Sequence, residues 1–327
     1  MINLEVHLVY SVFTLNNKSI SALTTMSLWS KILIAILIIV STAGLYLLMT
    51  IRTIEVETLH PDLHILRGVG SNTTVLKTSE GTVIVDSMTF PMQGALIRKK
   101  AEALTGQPVK LIINTHYHLD HTHGNPAFDA STKVISTART LAHLNALDAD
   151  FWDGERAQLL PNETFEDQLD LVMGDKTLVL KNIGRGHTDG DLVVLIKEHD
   201  TLVMGDLYFN QHYPNIDLEA GGSVQEWPAT LDKALAMEFK TVIPGHGATS
   251  NELGLRGFQQ FIGQLAKIGQ AAEVDGLSLE QVLQSKDLNA DSEFSEMTRG
   301  GIPIGLTREF VLRRAWEETT GNFERKN

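Results

Sequence analysis

Short apolar runs of strand length alternate with longer amphipathic stretches along most of this chain. An apolar run of four to eight residues indicates a strand, and a period of about 3.6 residues indicates a helix. On these criteria we predict helices near residues 93–105 and 138–147, set among strands in two groups. The pattern therefore predicts an α/β protein. The predicted strands are residues 64–67, 73–76, 82–85, 111–114, 177–182, 192–196 and 201–204.

Beyond residue 250 the pattern is helical, with an apolar stripe typical of a helix that packs into a core. Ser278 and Gln281 have the spacing of a capping box, which begins a second helix. A third helix is predicted over residues 308–320, ended by Gly321. We therefore predict a C-terminal helical extension over residues 251–327. Its core stripe consists of Phe258, Phe261, Ile262, Leu265 and Ile268.

The N-terminal region contains an apolar run, residues 32–51, which has no charged residue and is bounded by Lys31 and Arg52. A run of this length can span a bilayer. A cleavable signal peptide has a shorter apolar core, so we predict an uncleaved transmembrane anchor. The segment Ser41-Thr42-Ala43 resembles a small-residue cleavage site and leaves the cleaved alternative open.

Residues 1–31 would form a cytoplasmic lead, with Met26 as an alternative start. Lys18 and Lys31 precede the apolar run and Arg52 follows it. The single apolar run predicts a single-pass protein, and because Lys and Arg concentrate on the cytoplasmic side of a membrane segment, the bias predicts that its N-terminal side faces the cytoplasm. Its main domain would lie outside the cytoplasm, in the periplasm or the extracellular space.

The amino-acid composition and net charge of the chain exclude several kinds of partner and active site. Of the 327 residues, 43% are hydrophobic and 20% are charged, which is enough apolar material for a large core. The formal net charge of −13, without a Lys or Arg patch, argues against a nucleic-acid partner. Because the chain has no cysteine, disulfides, thiolate metal ligands and a cysteine nucleophile are excluded. Nothing in the sequence predicts the oligomeric state.

One segment carries most of the chemistry. His116, His118, Asp120 and His121 form an H-x-H-x-D-H cluster directly after an apolar strand. Neutral imidazole and carboxylate are ligands that zinc and similar divalent cations prefer. So many polar heads would each need a partner if buried, and a bound metal supplies it. His123, just beyond the cluster, is expected to line the pocket wall or bond nearby backbone rather than bind metal.

Three further residues follow short apolar strands and stand beside glycine. His187 lies in G-R-G-H-T-D-G-D, Asp206 in V-M-G-D and His246 in P-G-H-G. Any one of them alone is typical of a turn. Together with the cluster, these three residues indicate that all seven side chains belong to one metal-binding site.

This series of motifs resembles the ligand series of the metallo-β-lactamase-fold hydrolases over about residues 58–248. The resemblance implies a four-layer αββα sandwich as the catalytic domain, over residues 55–250. It also implies two bound zinc ions, with iron or manganese as alternatives. The implied first-metal ligands are His116, His118 and His187, the second-metal ligands are Asp120, His121 and His246, and Asp206 bridges the two metals.

Asp206 also bears on the branch of this superfamily. True β-lactamases carry Cys or Ser at the corresponding position, whereas glyoxalase II-like and lactonase-like hydrolases carry Asp. The resemblance therefore implies hydrolysis of an ester, thioester, lactone or amide in a small-molecule substrate. Two cations about 3.5–4 Å apart lower the pKa of a shared water and make hydroxide available as the nucleophile. Asp120 is the catalytic residue expected to orient that hydroxide.

Five other residues are candidates for supporting roles. Asp86 and Asp191 are expected to accept the outer N–H groups of metal-binding histidines, with solvated carboxylates as the alternative. Tyr208 is a candidate oxyanion donor, or it packs under the next loop. His212 and Tyr213 are candidate substrate contacts, because the polar loop that holds them is unusually long.

Two alternatives of the same fold stay open. One is a mononuclear iron persulfide dioxygenase, which uses only the first-metal ligands and binds glutathione. The other is a non-catalytic, membrane-tethered binding module, which would be expected to have lost ligands.

Overall fold

The part of the chain that this computed structural model describes, residues 27–299 and 301–323, belongs to two units. One unit extends to Thr50 and the other begins at Ile51, and each is described by itself. The predicted lead lies outside the described residues as far as Met26, so the alternative start falls outside them as well.

The first unit contains helix α1, Leu28–Arg52, except for its last two residues, and this helix includes the whole predicted span. None of the residues of α1 is buried. Within the described residues it is the one helix long and apolar enough to cross a membrane. Its length, composition and N-terminal position suit either a membrane anchor or a signal sequence.

Two β-sheets form the centre of the second unit. The first sheet consists, in spatial order, of β1 (Glu55–His60), β2 (Leu63–Arg67), β3 (Asn72–Thr78), β4 (Gly81–Val85), β5 (Val109–Ile113), β6 (Lys133–Thr137) and β7 (Glu163–Phe165). Its first four strands pair antiparallel, and β4 to β7 pair parallel. This change of direction places the carboxyl ends of β4, β5 and β6 at one edge.

The second sheet consists, in spatial order, of β8 (Gln168–Met173), β9 (Lys176–Lys181), β10 (Val193–Ile196), β11 (Thr201–Val203) and β12 (Thr241–Ile243). Only β11 and β12 pair parallel. A short hairpin of β13 (Thr298–Arg299) and β14 (Ile302–Pro303) lies outside both sheets. The helices of this unit are α2 (Pro91–Thr105), α3 (Leu119–Thr122), α4 (Ala138–Leu147), α5 (Trp227–Leu235), α6 (Glu252–Asp275), α7 (Leu279–Leu283) and α8 (Arg308–Thr320).

Three hydrophobic clusters define four layers. One cluster joins the facing sides of the two sheets and includes Ile113 and Val194. A second packs Ile97 of α2 against the outer face of the first sheet. The third packs α5, α6 and α8 against the outer face of the second sheet, with Trp227 and Phe261 among its largest side chains. The predicted α/β fold with an αββα arrangement is confirmed.

Local sequence explains the elements that carry the site. Every residue of β4 is buried, because both faces of the first sheet are covered, and an unbroken apolar run is typical of such a strand. Helix α2 begins at Pro91 and is capped after Thr105 by Gly106, whose φ of 72° favours glycine. A Cβ on Gly94 would lie 2.0 Å from the carbonyl oxygen of Gly124. Helix α2 therefore packs directly on the turn that follows the H-x-H-x-D-H cluster.

The C-terminal region was largely predictable. The capping box at Ser278 and Gln281 is present, and α8 ends at Gly321 as expected. The predicted extension shares its core with the second sheet rather than forming a core of its own. Several elements were not predicted, and β7 and β12 show why, since three residues cannot display a period.

Candidate metal centre

The predicted ligands lie on loops at one edge of the two packed sheets. The H-x-H-x-D-H cluster follows β5 and runs into α3, and His187 lies in the loop between β9 and β10. Asp206 follows β11 and His246 follows β12. Because β11 and β12 run parallel, their carboxyl ends bring Asp206 and His246 together.

The structure gathers all seven predicted ligands into two neighbouring groups. In each group the ligand atoms lie within 4.8 Å of one another. All seven side chains are buried except that of His118, which is partly exposed. The first group is His116, His118, His187 and Asp206, and the second is Asp120, His121 and His246.

Asp206 lies between the two groups and faces each with a different oxygen. Its Oδ2 is 3.8 Å from Nε2 of His116 and 3.6 Å from Nε2 of His187. Its Oδ1 is 3.1 Å from Nε2 of His121 and 3.3 Å from Nε2 of His246. Asp120 Oδ2 completes the second group at 3.5 Å from His246 Nε2. This is the arrangement expected of a carboxylate that bridges two cations.

The polar atoms at the centre fit a metal. His121 Nε2 and Asp206 Oδ1 are fully buried and, although 3.1 Å apart, are not aligned for a hydrogen bond with each other or with any other group. Burial of such atoms without a partner is costly, and native structures rarely leave them unsatisfied. A divalent cation would satisfy both atoms, and imidazole nitrogen with carboxylate oxygen is a suitable donor set.

The pKa values of the histidines at the centre also favour a bound cation. Burial lowers the pKa of His116 well below its usual value and that of His187 to about 4. Both imidazoles are therefore neutral at pH 7, the form in which they bind metal. Burial opposes charge on His121, yet Asp206 and Asp86 raise its pKa well above the usual value. The centre thus favours a positive charge, which a cation supplies.

Asp86 follows β4 and lies behind His121, a ligand of the second group. Its Oδ2 accepts from Nδ1 of His121 at 2.7 Å, so Nε2 of that ring faces Asp206. The amide and hydroxyl of Thr115 donate to the same carboxylate at 2.9 and 2.8 Å. Asp86 itself has a φ of 64°, in the left-handed region. These contacts hold the ligand loop to the end of β4.

Two residues that sequence reasoning did not single out hold the first group. Nδ1 of His187 donates to the backbone oxygen of Asn215 at 2.9 Å. Nε2 of His118 donates to Oδ2 of Asp217 at 2.9 Å, and the hydroxyl of Tyr117 donates to the same oxygen at 2.5 Å. Both histidines therefore present their other nitrogen to the centre. Only the length of the loop after Asp206 marked this segment in the sequence.

Asp191 contacts Thr188, the residue after His187, and not a histidine ring as predicted. Its carboxylate accepts the amide and hydroxyl of Thr188, each at 2.7 Å. It thus fixes the turn directly after His187 and contacts that loop rather than a histidine ring.

Tyr208, His212 and Tyr213 belong to neither ligand group and do not line the cavity beside them. The hydroxyl of Tyr208 is directed to Asn210 and Ser250, at 2.9 and 3.0 Å. His212 and Tyr213 instead contact the C-terminal segment, where His212 Nδ1 lies 3.1 Å from Ser295 Oγ and Tyr213 donates to Asp291 at 3.0 Å. Their ring directions depend on the path of the loop, which no sequence period reveals.

His123 is separate from both ligand groups. Its Nε2 pairs with Asp148 at 2.8 Å, and its ring stacks on Phe151 with centroids 3.4 Å apart. Its partners are therefore side chains, not the backbone groups expected.

A cavity of about 270 Å³ opens beside the two groups. One side consists of His118, Asp120, Asp206 and His246, and the rest is largely apolar. No motif or period predicted Met297, Ile304 and Leu306 at this cavity, since they lie far along the chain from the ligands in a segment without regular spacing. The remaining lining residues are Leu119, Phe209 and Asn215.

Asp217→Asn preserves the size of the side chain but removes the charge that accepts the N–H of His118. We expect metal affinity to fall about tenfold or more, because such outer partners contribute about 10–100-fold. Competitive titration against a chromophoric chelator would measure this loss.

Asp62→Asn is the matched control, because Asp62 also pairs with a histidine, His199, in the turn between β1 and β2 and belongs to neither ligand group. Equal affinities for the wild type and Asp217→Asn would contradict a positioning role for Asp217.

Comparison with known proteins agrees with this geometry. The family model described as the metallo-beta-lactamase superfamily matches residues 66–246, more than half of the chain. The metallo-beta-lactamase type 2 of Bacillus sp. (strain 170) is 27% identical over 205 residues, which are 59% of this chain and 74% of that protein. The linear primary-alkylsulfatase of Pseudomonas sp. (strain ATCC 19151) is 22% identical over 215 residues, covering 53% of this chain and 40% of that protein.

Solved structures share the fold. A metallo-beta-lactamase from Pontibacter korlensis aligns with a TM-score of 0.57 and 22% identity, over 64% of this chain and 99% of that one. The sec-alkylsulfatase Pisa1 from Pseudomonas sp. aligns with a TM-score of 0.66 and 15% identity, over 83% of this chain and 51% of that one. These comparisons do not specify the glyoxalase II-like or lactonase-like branch that Asp206 predicts. They do place the ligand series in its family: this chain belongs to the metallo-beta-lactamase superfamily and is a metal-dependent hydrolase.

Proposed function

We propose that this protein is a membrane-anchored hydrolase with two zinc ions, which acts on an ester, thioester, lactone or amide carbonyl. The observation that carries the proposal is the position of Asp206, one oxygen toward each of two complete ligand groups. Metal ions bound there would lower the pKa of a water and polarise the substrate carbonyl. The remaining steps fall to the chain's own residues.

Zinc is the metal that the donor set favours. Five of the seven ligands are imidazoles, and two are carboxylates. Imidazole suits zinc, whereas sites for magnesium or calcium consist mainly of oxygen ligands. Iron and manganese accept the same donors and are the alternatives.

Asp120 is the residue we assign to proton movement. Its carboxylate lines the cavity and lies within the second ligand group. From there it can orient the attacking water, accept its proton and return that proton to the leaving group. Tyr208 receives no such role in this proposal, because its hydroxyl is held by Asn210 and Ser250.

The second ligand group also weighs against the two alternatives. A mononuclear dioxygenase needs only the first group, yet Asp120, His121 and His246 are buried and converge as closely as the first group does. A binding module without activity has no need of either group. Both groups are complete, which supports a dinuclear hydrolase.

Sulfate esters are a second candidate substrate. The alignment with the sec-alkylsulfatase covers 83% of this chain, against 64% for the Pontibacter enzyme. This likeness concerns the fold, so sulfate esters are assayed beside carbonyl esters rather than preferred to them.

Metal analysis is the direct test of this function. We expect elemental analysis of the purified protein to find about two zinc ions per chain, because each ligand group holds one. A chelator should abolish hydrolysis of ester, lactone and thioester probes, and added zinc should restore it. One iron per chain without hydrolysis would favour the dioxygenase, and a protein without metal would favour the binding module.

Asp120→Ala should lower kcat by about 100-fold or more, since general acid–base groups contribute about 10²–10⁴-fold. Circular dichroism and the melting temperature should stay near wild-type values. The control is Asp153→Ala, which removes a carboxylate that is 79% exposed, and it should retain full turnover. Full turnover of Asp120→Ala would remove this residue from the mechanism.

We further propose that α1 anchors the enzyme with the catalytic unit outside the cytoplasm. Deletion of residues 1–52 should release an active enzyme into the soluble fraction, because Ile54 is the first buried core residue that follows. Alkaline phosphatase fused after Asn327 should be active only in an exported protein. A deleted protein that stays with membranes, or an inactive fusion, would refute the anchor or its orientation respectively.

A further inference from the structure

The cavity beside the metal ligands has two unlike walls. One wall carries the polar ligand side chains, including those of Asp120 and Asp206. The other is built from apolar side chains. A substrate placed between them would present its reacting carbonyl to the first wall and an apolar portion to the second. The apolar wall consists of Leu119, Phe209, Met297, Ile304 and Leu306.

Three of these apolar side chains come from one C-terminal segment. Met297 and Ile304 flank the β13–β14 hairpin, and the amide of Ile304 donates to the carbonyl of Met297 at 3.2 Å. Met297 is 7% exposed and Leu306 is 9% exposed, although both lie in a segment with little regular structure. Ile302, at the far end of the same hairpin, is 64% exposed. The side chain of Ile304 therefore lines the cavity, whereas that of Ile302 is exposed to solvent.

The segment before the hairpin is fixed to the chain that follows Asp206. The amide of Ser295 donates to the carbonyl of Gln211 at 3.0 Å, and the amide of Tyr213 donates to Ser295 at 3.4 Å. Asp291 accepts from the Tyr213 hydroxyl and from Nε of Arg308, at 3.0 and 3.1 Å. These contacts fix the segment that carries the apolar wall to the loop whose Asn215 and Asp217 accept hydrogen bonds from metal-binding histidines.

The chemistry of the lining selects against charged substrates. Among the side chains that the structure describes, no Lys or Arg lines the cavity, so the apolar wall offers no counter-charge. A substrate carboxylate on the apolar side would lose its hydration without gaining a counter-charge. Methylene groups would instead gain from leaving water. The volume of about 270 Å³ lies near the lower limit of ligand pockets, about 300 Å³, and so suits a chain of modest length.

We propose that the cavity binds a neutral, aliphatic acyl chain of short to medium length, and that the hairpin side chain Ile304 sets the preferred length. This inference rests on the proposed hydrolase function and names the substrate class for the same site. His212 and Tyr213 then contribute indirectly, because their contacts hold the segment that carries the wall.

The test compares p-nitrophenyl esters of acetyl, butyryl, hexanoyl and octanoyl groups, together with the hemisuccinate, whose acyl chain ends in a carboxylate. The enzyme is the full chain in lipid nanodiscs with zinc bound. We expect kcat/KM to rise from acetyl to hexanoyl, because one methylene group in a hydrophobic pocket changes kcat/KM by about 10-fold or more. We expect kcat/KM for the hemisuccinate to be at least about tenfold lower than for butyryl, because its carboxylate would lose hydration against the apolar wall. Equal or greater turnover of the hemisuccinate would overturn the proposal.

Ile304→Ala should lower the ratio of hexanoyl to acetyl kcat/KM by about tenfold, because the chain loses its apolar contact. Ile304→Trp should lower the same ratio by obstructing the cavity, which keeps the test valid if the alanine variant relaxes. Ile302→Ala is the matched control, since it makes the same change on the exposed end of the hairpin. A ratio that is identical in all four proteins would overturn the role of Ile304.

Binding separates this inference from the proposed function. Titration calorimetry with 1-hexanol should detect binding to the wild type and to Ile302→Ala, and at least about fivefold weaker binding to Ile304→Ala. Hexanol binding without hydrolysis of any ester would support the apolar site and reject the hydrolase function. Ester hydrolysis without a chain-length dependence and without hexanol binding would support the hydrolase function and reject the apolar site.

Discussion

The buried carboxylate of Asp206 is the constraint on which the site depends. It lies among four imidazoles, with one oxygen toward each ligand group. Burial opposes its charge, yet the neighbouring His246 and His121 hold its pKa well below the usual carboxyl value. Such a charge can remain buried only where positive charge surrounds it. The two packed sheets serve this requirement, because they bring loops from both halves of the chain to a single edge.

A set of outer contacts orients the ligands. Asp86, at the end of β4, accepts from His121, and the carbonyl of Asn215 and the carboxylate of Asp217 accept from His187 and His118. Each contact fixes which ring nitrogen faces the centre. Asn215 and Asp217 lie in one long loop, and its first residues also pair with the segment that precedes the hairpin. The loop therefore contacts both the metal-binding histidines and the segment that carries the apolar wall.

The catalytic groups and the apolar wall come from different parts of the chain. All seven ligands lie within residues 66–246, the region that the superfamily model matches. Met297, Ile304 and Leu306 lie beyond it. Those C-terminal residues nevertheless belong to the same compact unit, because α6 and α8 share a core with the second sheet. The proposed substrate preference would thus come from a segment beyond the region that the superfamily model matches, consistent with function residing in sites carried by a fold.

The sequence by itself determined the ligand types, their order, most of the strands that precede them and the apolar helix near the N-terminus. These features are local, since a strand and the ligand that follows it are adjacent in the chain. Only the tertiary structure decided which polar side chains meet. Tyr117 and Asp217 are 100 residues apart yet share a hydrogen bond, while Tyr208, two residues from Asp206, is held by Asn210 and Ser250. A loop without a period leaves side-chain direction undetermined until packing fixes its path, and this is why the outer contacts and the apolar wall could not be predicted.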